Sequence, residues 1–340
     1  MDPIDYDLAR YSELFMLLAA FTYTVAFLAF AWDLAKSSKI IQTVENRVEQ
    51  KNAVRETVPA GNGNARDWDA EASRGSQTAD AGMGYGGPRR NAARVGVALT
   101  VLAAAIHAAA VLCRGMAAHR VPWGNMYEFC TTGALVVAVV FLLVITRRDL
   151  RFLGTFVLGL VLVMMMAATI GFPTPVAHLV PALQSYWLII HVSVAVLASS
   201  LFTLTFAMSV LQLLQADRES RIRSGRPARM AFMRIVPSAQ SLENLSYRIN
   251  AVAFVLWTFT LMAGAIWAEQ AWGRYWGWDT KEVWTFVIWV VYAGYLHARA
   301  TRGWTGTRAA WLSIVGYLCV IFNFGIVNVF FSGLHSYSGL

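Results

Sequence analysis

The sequence predicts an all-α, polytopic membrane helix bundle, and three observations predict it. Of its residues 57% are hydrophobic and only 14% charged, against about 25% charged in soluble domains, and the mean hydropathy is +0.49. The apolar residues fall in runs of about 17 to 25, the length a helix needs to cross a bilayer, and a helix satisfies its own backbone hydrogen bonds there. The Lys and Arg residues collect in alternate connecting segments, as the positive-inside rule requires of a chain that crosses repeatedly.

About eight transmembrane helices follow in order, near 14–32, 94–113, 126–146, 152–171, 186–214, 250–268, 283–300 and 309–331. The first follows an acidic start (Asp2, Asp5, Asp7) and has no Ala-x-Ala-like site after it, so it reads as a span within residues 1–35 and not as a signal peptide. Residues 36–92 are rich in Gly, Ala, Asn, Asp, Glu, Arg and Ser, with Gly61-Asn-Gly-Asn and Gly82-Met-Gly-Tyr-Gly-Gly-Pro88. They read as a cytoplasmic, largely disordered insert with a short helix near 38–56, its basic residues available to anionic membrane lipid. Residues 93–340 form the membrane domain. The second and third spans flank a loop holding Arg114, His119, Arg120, Pro122 and Asn125, and Tyr127-Glu128 opens the third. The fourth ends before Phe172-Pro-Thr-Pro175; the fifth, 186–214, is long enough to tilt or to project past the bilayer. A segment at 269–284 joins the sixth and seventh, and Gly333-Leu-His335 follows the eighth.

Of the 28 Lys and Arg, 23 lie in the segments 36–94, 147–151, 218–248 and 299–308. These face inward, so the 269–284 segment and both termini face outward. The formal charge of +8 reflects this asymmetry; no nucleic-acid-binding module is present and none is implied. Cys113, Cys130 and Cys319 form no Cys-x-x-Cys pair, against a thiol–disulfide exchanger or an attached c-type heme. Zinc spacing, a Walker loop and Gly-x-Ser-x-Gly are also absent.

The densest chemistry is Trp272-Gly-Arg-Tyr-Trp276-Gly-Trp278-Asp279-Thr-Lys-Glu282-Val-Trp284. Interfacial Trp and Tyr belts need one or two rings per helix end; this concentration also suits a platform of flat faces on which a planar ligand stacks. Both readings stand on residues alone. Asp279 and Glu282 suit a helix start, and Asp279 is equally suited to fix the aromatic loop by accepting N–H bonds. Ionisable groups near spans are commonly functional. His191, about one and a half turns into the fifth span, and His335, just past the eighth, lie at the level of the Trp cluster and would supply two axial ligands to one heme; interfacial hydrogen bonding also accounts for each. His297 lies roughly 21 Å down the seventh span, too deep to join them. His107 finds no mate at matching depth, and His119 and His178 read as loop residues.

Several motifs together resemble one family. Trp272 to Glu282 is similar to the Trp-rich "WWD" segment of heme-handling proteins of c-type cytochrome biogenesis. Tyr295-Leu-His297-Ala-Arg299, Leu183-Gln-Ser-Tyr-Trp-Leu-x-x-His191, Asn328-Val-Phe-x-Ser-Gly-Leu-His335-Ser-Tyr337 and Pro122-x-x-Asn125-x-Tyr127-Glu128 resemble the CcsA/ResC component of the System II cytochrome c synthase, over roughly 94–340. The resemblance implies a heme lyase subunit in the cell membrane, its active face extracytoplasmic. It implies heme b as bound substrate, its iron ligated by His191 and His335, with Trp272, Trp276, Trp278 and Asp279 as binding and catalytic surroundings. It implies that His297 holds heme on its way outward. The expected partners are a ResB/CcsB-type membrane subunit and an apocytochrome c bearing Cys-x-x-Cys-His. The Trp segment alone does not exclude a heme transporter or chaperone without lyase chemistry, as in System I relatives. A bis-His electron carrier and a solute permease are further alternatives.

Overall fold

The computed structural model describes residues 3–56, 83–85, 90–227, 230–301 and 303–335. Among them every regular element is helical. Helix α1 (Tyr6–Glu56) starts where the Asp5 carboxylate accepts the N–H groups of Asp7 and Leu8, each at 3.0 Å. It runs far past the expected end of its span and takes in the region 38–56 as its own continuation. The remainder of the expected insert, 57–82 and 86–89, lies outside the described residues. Then come α2 (Asn91–Ala117), α3 (Met126–Ile145) and α4 (Gly154–Met166), the last running into a π turn at Ala167–Gly171. The second half comprises α5 (Tyr186–Arg223), α6 (Ala239–Trp272), α7 (Thr280–Ala300) and α8 (Thr307–Ile321). A second π turn, Phe322–Val327, and a final turn, Asn328–Phe330, follow α8.

Seven segments are long and apolar enough to cross a membrane: Tyr6–Ser37, Asn91–Ala117, Met126–Ile145, Arg151–Gly171, Tyr186–Arg223, Ala239–Trp272 and Thr307–Phe330. The chain is therefore a multi-pass membrane protein, with seven apolar spans among the described residues where eight were expected. The exception is α7. Its 21 residues give it a spanning length of roughly 32 Å, but Lys281, Glu282, His297, Arg299 and its polar-tipped Trp and Tyr rings make it less apolar than the others. It belongs to the bundle because its rings pack inward: Tyr292 and Tyr295 are fully buried, and Tyr292 stacks on Phe202 of α5 at 3.7 Å and 13°.

Two cores organise the bundle. One fills the space among α1, α2, α3 and α4 with Tyr23, Phe30, Phe141 and Leu158. The other joins α5 to α8 through Phe202, Trp257, Tyr292 and Tyr317. Helices α5 and α6 run antiparallel: contacts pair His191 with Thr260, Thr205 with Asn250, and Gln212 with Glu243. Polar side chains in this second core bond one another. Thr205 donates to Asn250, which donates to Ser313 of α8, and Thr203 meets the Tyr317 hydroxyl at 2.8 Å. A buried polar group that finds no such partner costs about 1–3 kcal/mol, so these bonds help fix how the helices are rotated.

The alternation of helices brings one set of ends together. The C-terminal ends of α2, α4, α6 and α8 share a face with the starts of α3, α5 and α7, and Asp5 N–H donates to the Ala117 carbonyl at 3.0 Å, so the start of α1 joins them. A cleft opens on this face.

Candidate functional site: a cleft with two imidazoles

The aromatic segment folds as sequence chemistry dictates. Helix α6 ends at Trp272 because Gly273 adopts φ +70°, the left-handed cap that glycine takes without penalty. Helix α7 starts with a full capping box: the Asp279 side chain accepts from the Lys281 N–H at 2.8 Å, and the Glu282 carboxylate accepts from the N–H groups of Gly277 and Asp279. Between these caps the loop is tight. A Cβ on Gly277 would lie 2.1 Å from the Arg274 guanidinium carbon. Trp278 sits at φ +58°, which costs a non-glycine residue about 1–2 kcal/mol, and its ring is 76% exposed.

Beneath this loop lies a cleft of about 1070 Å³, open solvent included, walled by the starts of α3 and α5, the end of α6, the start of α7 and the turn after α8. Most of its wall is apolar and aromatic. Trp257 donates its indole N–H to the Thr285 carbonyl and Trp267 donates to Ala182, each at 3.1 Å, so both rings are buried with their polar ends satisfied.

Two imidazoles face this space. His191 is held at Nδ1, 3.0 Å from the Thr260 carbonyl, which makes Nδ1 the donor and Nε2 the bare nitrogen. Its ring stacks on Trp267 at 5.9 Å and 13°. Gly264 lets α6 come this close, since a Cβ there would lie 2.7 Å from His191 Cε1. His335 comes from the far end of the chain and packs edge-on against Trp267 at 5.5 Å and Trp272 at 4.9 Å. Its Nδ1 stands 3.3 Å from Asp279 Oδ1, an ion-pair distance without an aligned hydrogen bond. Trp267 thus touches both imidazoles. In each, Nδ1 is turned to an oxygen and Nε2 has no hydrogen-bond partner among the described residues; histidines that ligate a metal commonly direct the other ring nitrogen to such an acceptor.

Asp279 ties the loop to the C-terminal segment. Its Oδ2 accepts from the Leu334 N–H at 2.7 Å. Burial works to raise its pKa, but the His335 ring and the Lys281 and Leu334 N–H groups outweigh burial and hold the carboxyl down at about 2. The tie is therefore charged at neutral pH and is lost only as pH falls toward about 2.

Of the residues singled out from sequence, His191, His335 and Trp276 line the cleft. Trp272 packs behind His335 and Asp279 beneath it. Trp278 departs from the expected platform: the left-handed turn carries its ring outward, edge-on to Trp276 at 5.9 Å and 89°. His297 is exposed in the last turn of α7, ~26 Å from Thr280 by helical rise and away from the cleft. His107 is fully buried against Tyr23, while His119 and His178 are exposed. The platform is completed by residues the sequence reading passed over. Trp267 and Trp257 sit inside α6 among ordinary apolar neighbours, and Trp123 and Lys281 gain meaning only from the cleft they share. Glu128 carried a local signal, since Asn125 caps its N–H at 2.9 Å.

Among the described residues no three His, Cys, Asp or Glu cluster as a metal site. The donor set is a pair of bare imidazole nitrogens beside flat apolar walls. Such a pair is the kind of donor set that a metal in a planar macrocycle takes, and the fold is that of a multi-pass membrane protein. Residues 123–335 match the family of cytochrome C assembly proteins, and the chain belongs to that family. It is 34% identical over 267 residues to the cytochrome c biogenesis protein CcsA of Guillardia theta, covering 74% of this chain and 88% of that one. The CcsA of Synechococcus sp. is 32% identical over 271 residues, covering 74% and 87%. The CcsA of Prochlorococcus marinus is 40% identical over a shorter stretch of 179 residues, covering 47% and 57%. In fold, the chain is similar to the cytochrome c heme lyase CcmF, with a TM-score of 0.58 at 16% identity over 98% of this chain; it spans half the length of that protein.

Proposed function

We propose that this chain is the heme-handling subunit of a System II cytochrome c synthase. It moves heme b outward, presents it at the cleft, and helps attach it to the Cys-x-x-Cys-His of an apocytochrome c. The observation that carries the reading is the pair His191 and His335, both against Trp267 with Nδ1 turned to an oxygen and Nε2 bare. Family membership supports the reaction class.

The chemistry is the addition of each cysteine S–H across a heme vinyl group. Sulfur bonds the vinyl carbon next to the ring, the hydrogen goes to the terminal carbon, and no redox partner is consumed. Heme supplies the reactive vinyls; the protein orients them and excludes water. His191 is fixed in a rigid helix and suits the permanent ligand. His335 lies beyond the last helical turn and suits the ligand that the cytochrome's own histidine displaces. Trp276 borders the ring, while Trp272 backs His335 and Asp279 aims it. Trp278, turned outward, suits contact with the incoming polypeptide.

The cleft faces the extracytoplasmic side of the cell membrane. The 23 of 28 Lys and Arg in the opposite segments support that orientation. His297, exposed on α7, supports a second heme-holding position whose other ligand comes from a ResB/CcsB-type subunit.

His335→Ala tests the reading. Purified with its partner, the variant is expected to lose most of its low-spin heme spectrum and to recover part of it on addition of imidazole. Unchanged heme occupancy and cytochrome yield would remove His335 from the site. Gly264→Ala is a sharper geometric test. It removes no ligand, yet its new methyl would sit 2.7 Å from the His191 ring. Heme affinity is expected to fall roughly 10–100-fold, as for a disturbed outer shell. A variant with wild-type affinity would show that His191 needs no support from α6.

A further inference from the structure

The cleft is lined by one cation, Lys281, that makes no ion pair among the described residues. Lys281, in the first turn of α7, lines the cleft and directs its ammonium to two neutral acceptors, the Asn323 carbonyl and Asn328 Oδ1, each at 2.8 Å. The ammonium also sits 4.2 Å from the centre of the Phe324 ring. Among the described residues no carboxylate lies within ion-pair distance of it. Of the neighbouring acids, Asp279 serves backbone N–H groups and His335, and Glu282, which also lines the cleft, gives Oε2 to its capping box while its buried Oε1 meets no donor among the described residues. The π turn Phe322–Val327 contributes to this arrangement, because it supplies both Asn323 and Phe324 to the cation.

A second donor lines the same cleft. Trp123 buries its indole Nε1–H with no acceptor among the described residues. Its wall adjoins that of Lys281, for Asn328, which binds the ammonium through Oδ1, reaches Met126 Sδ through Nδ2 at 3.0 Å. An ammonium whose acceptors are all neutral and an unmet N–H in a mostly apolar cleft both favour a ligand that brings a negatively charged acceptor.

We propose that Lys281, together with the Trp123 indole N–H on the adjoining wall, is the carboxylate anchor of the cleft and takes a propionate of the porphyrin. This rests on the heme reading above and adds to it. The two imidazoles hold the metal along the ring axis but leave the ring free to turn about that axis. A carboxylate fixed at its edge stops the rotation, so that one orientation of the vinyl edge is offered to the thiols. Lys281 is thus a positioning residue for the reaction.

The test is a titration of the purified full-length chain with its partner, using ferric protoporphyrin IX and its dimethyl ester, read by the Soret band and by Trp quenching. The wild type is expected to prefer the free diacid by roughly 10-fold or more, the scale of a charge-assisted hydrogen bond. Lys281→Met is expected to reduce that preference to about 2-fold with the low-spin spectrum retained, and Lys281→Arg to keep most of it. Trp123→Phe, which keeps a ring and removes only the N–H, is expected to reduce it by about 3-fold and serves if Lys281→Met does not fold. Equal affinity of the wild type for both porphyrins, or a preference untouched by Lys281→Met and Trp123→Phe, overturns the anchor while the heme site stands. No binding of either porphyrin by the wild type, or a bound spectrum indifferent to His191→Ala, overturns the heme reading itself, and the anchor with it.

Discussion

His191→Ala is expected to abolish stable heme binding at the cleft, the largest functional effect of any single change here. The imidazole is doubly constrained. The Thr260 carbonyl fixes its tautomer and tilt through a 3.0 Å contact, and Trp267 stacks on its face at 5.9 Å. A ligand so oriented loses little freedom when it binds iron, which is why its removal is more damaging than removal of His335 beyond the last helix. The loss should exceed the roughly 10–100-fold that outer-shell changes produce, and the low-spin spectrum and cytochrome c yield should vanish together. Added imidazole should rescue less than it does in His335→Ala, because the vacated space is closed by Gly264 and Trp267 rather than open at the rim. Low-spin heme retained by His191→Ala at wild-type occupancy would mean that the cleft is not the heme site.

The contrast between these two histidines also shows what sequence can and cannot give. Apolar runs located the spans because the bilayer imposes one length and one chemistry on every crossing helix. That logic weakened at α7, where Lys281, Glu282, His297 and Arg299 enter a helix of spanning length that buries only one face, Glu282, Ile288, Tyr292 and Tyr295. It also stopped too early at α1, since a helix can continue to Glu56 with no apolar signal. At the site, residues with unusual chemistry were legible: two histidines, an aromatic cluster and an acid. Their directions were not. Trp278 and Trp276 differ by two positions in one motif, yet a single left-handed residue sends one ring to solvent and leaves the other at the cleft. Trp267 was hidden for the opposite reason. It lies on an ordinary helical face, and only the arrival of His191 and His335 from distant parts of the chain makes it the ring between them.

Glu128→Ala is expected to have the largest effect on stability. Glu128 is fully buried at the start of α3 and holds two guanidiniums: Arg114 Nε lies 3.0 Å from Oε1 and Arg120 Nη1 lies 2.7 Å from Oε2. Its Oε2 also accepts from the Gly124 N–H at 2.7 Å. The arginines extend the network, Arg114 to the Thr174 carbonyl at 2.7 Å and Arg120 to that of Ala177 at 2.9 Å. One carboxylate thus joins the end of α2, the loop before α3 and the loop before α5. Removing it leaves buried cations with no counter-charge, a change that costs about 3–5 kcal/mol, whereas Glu128→Gln keeps the volume and one acceptor and should cost less. Thermal unfolding in detergent should shift down by several degrees for Ala and by less for Gln, with heme lost only as the fold is lost. Arg114→Leu should fall between, because Arg120 still neutralises Glu128. A Glu128→Ala protein that unfolds like the wild type would show that water reaches the arginines. The order of these variants matters for the cleft, since Trp123, Asn125 and Met126 form its α3 wall and stand on this network. If the network sets that wall, Glu128→Gln should weaken the preference for the free porphyrin diacid, through Trp123, before it weakens binding of the ring.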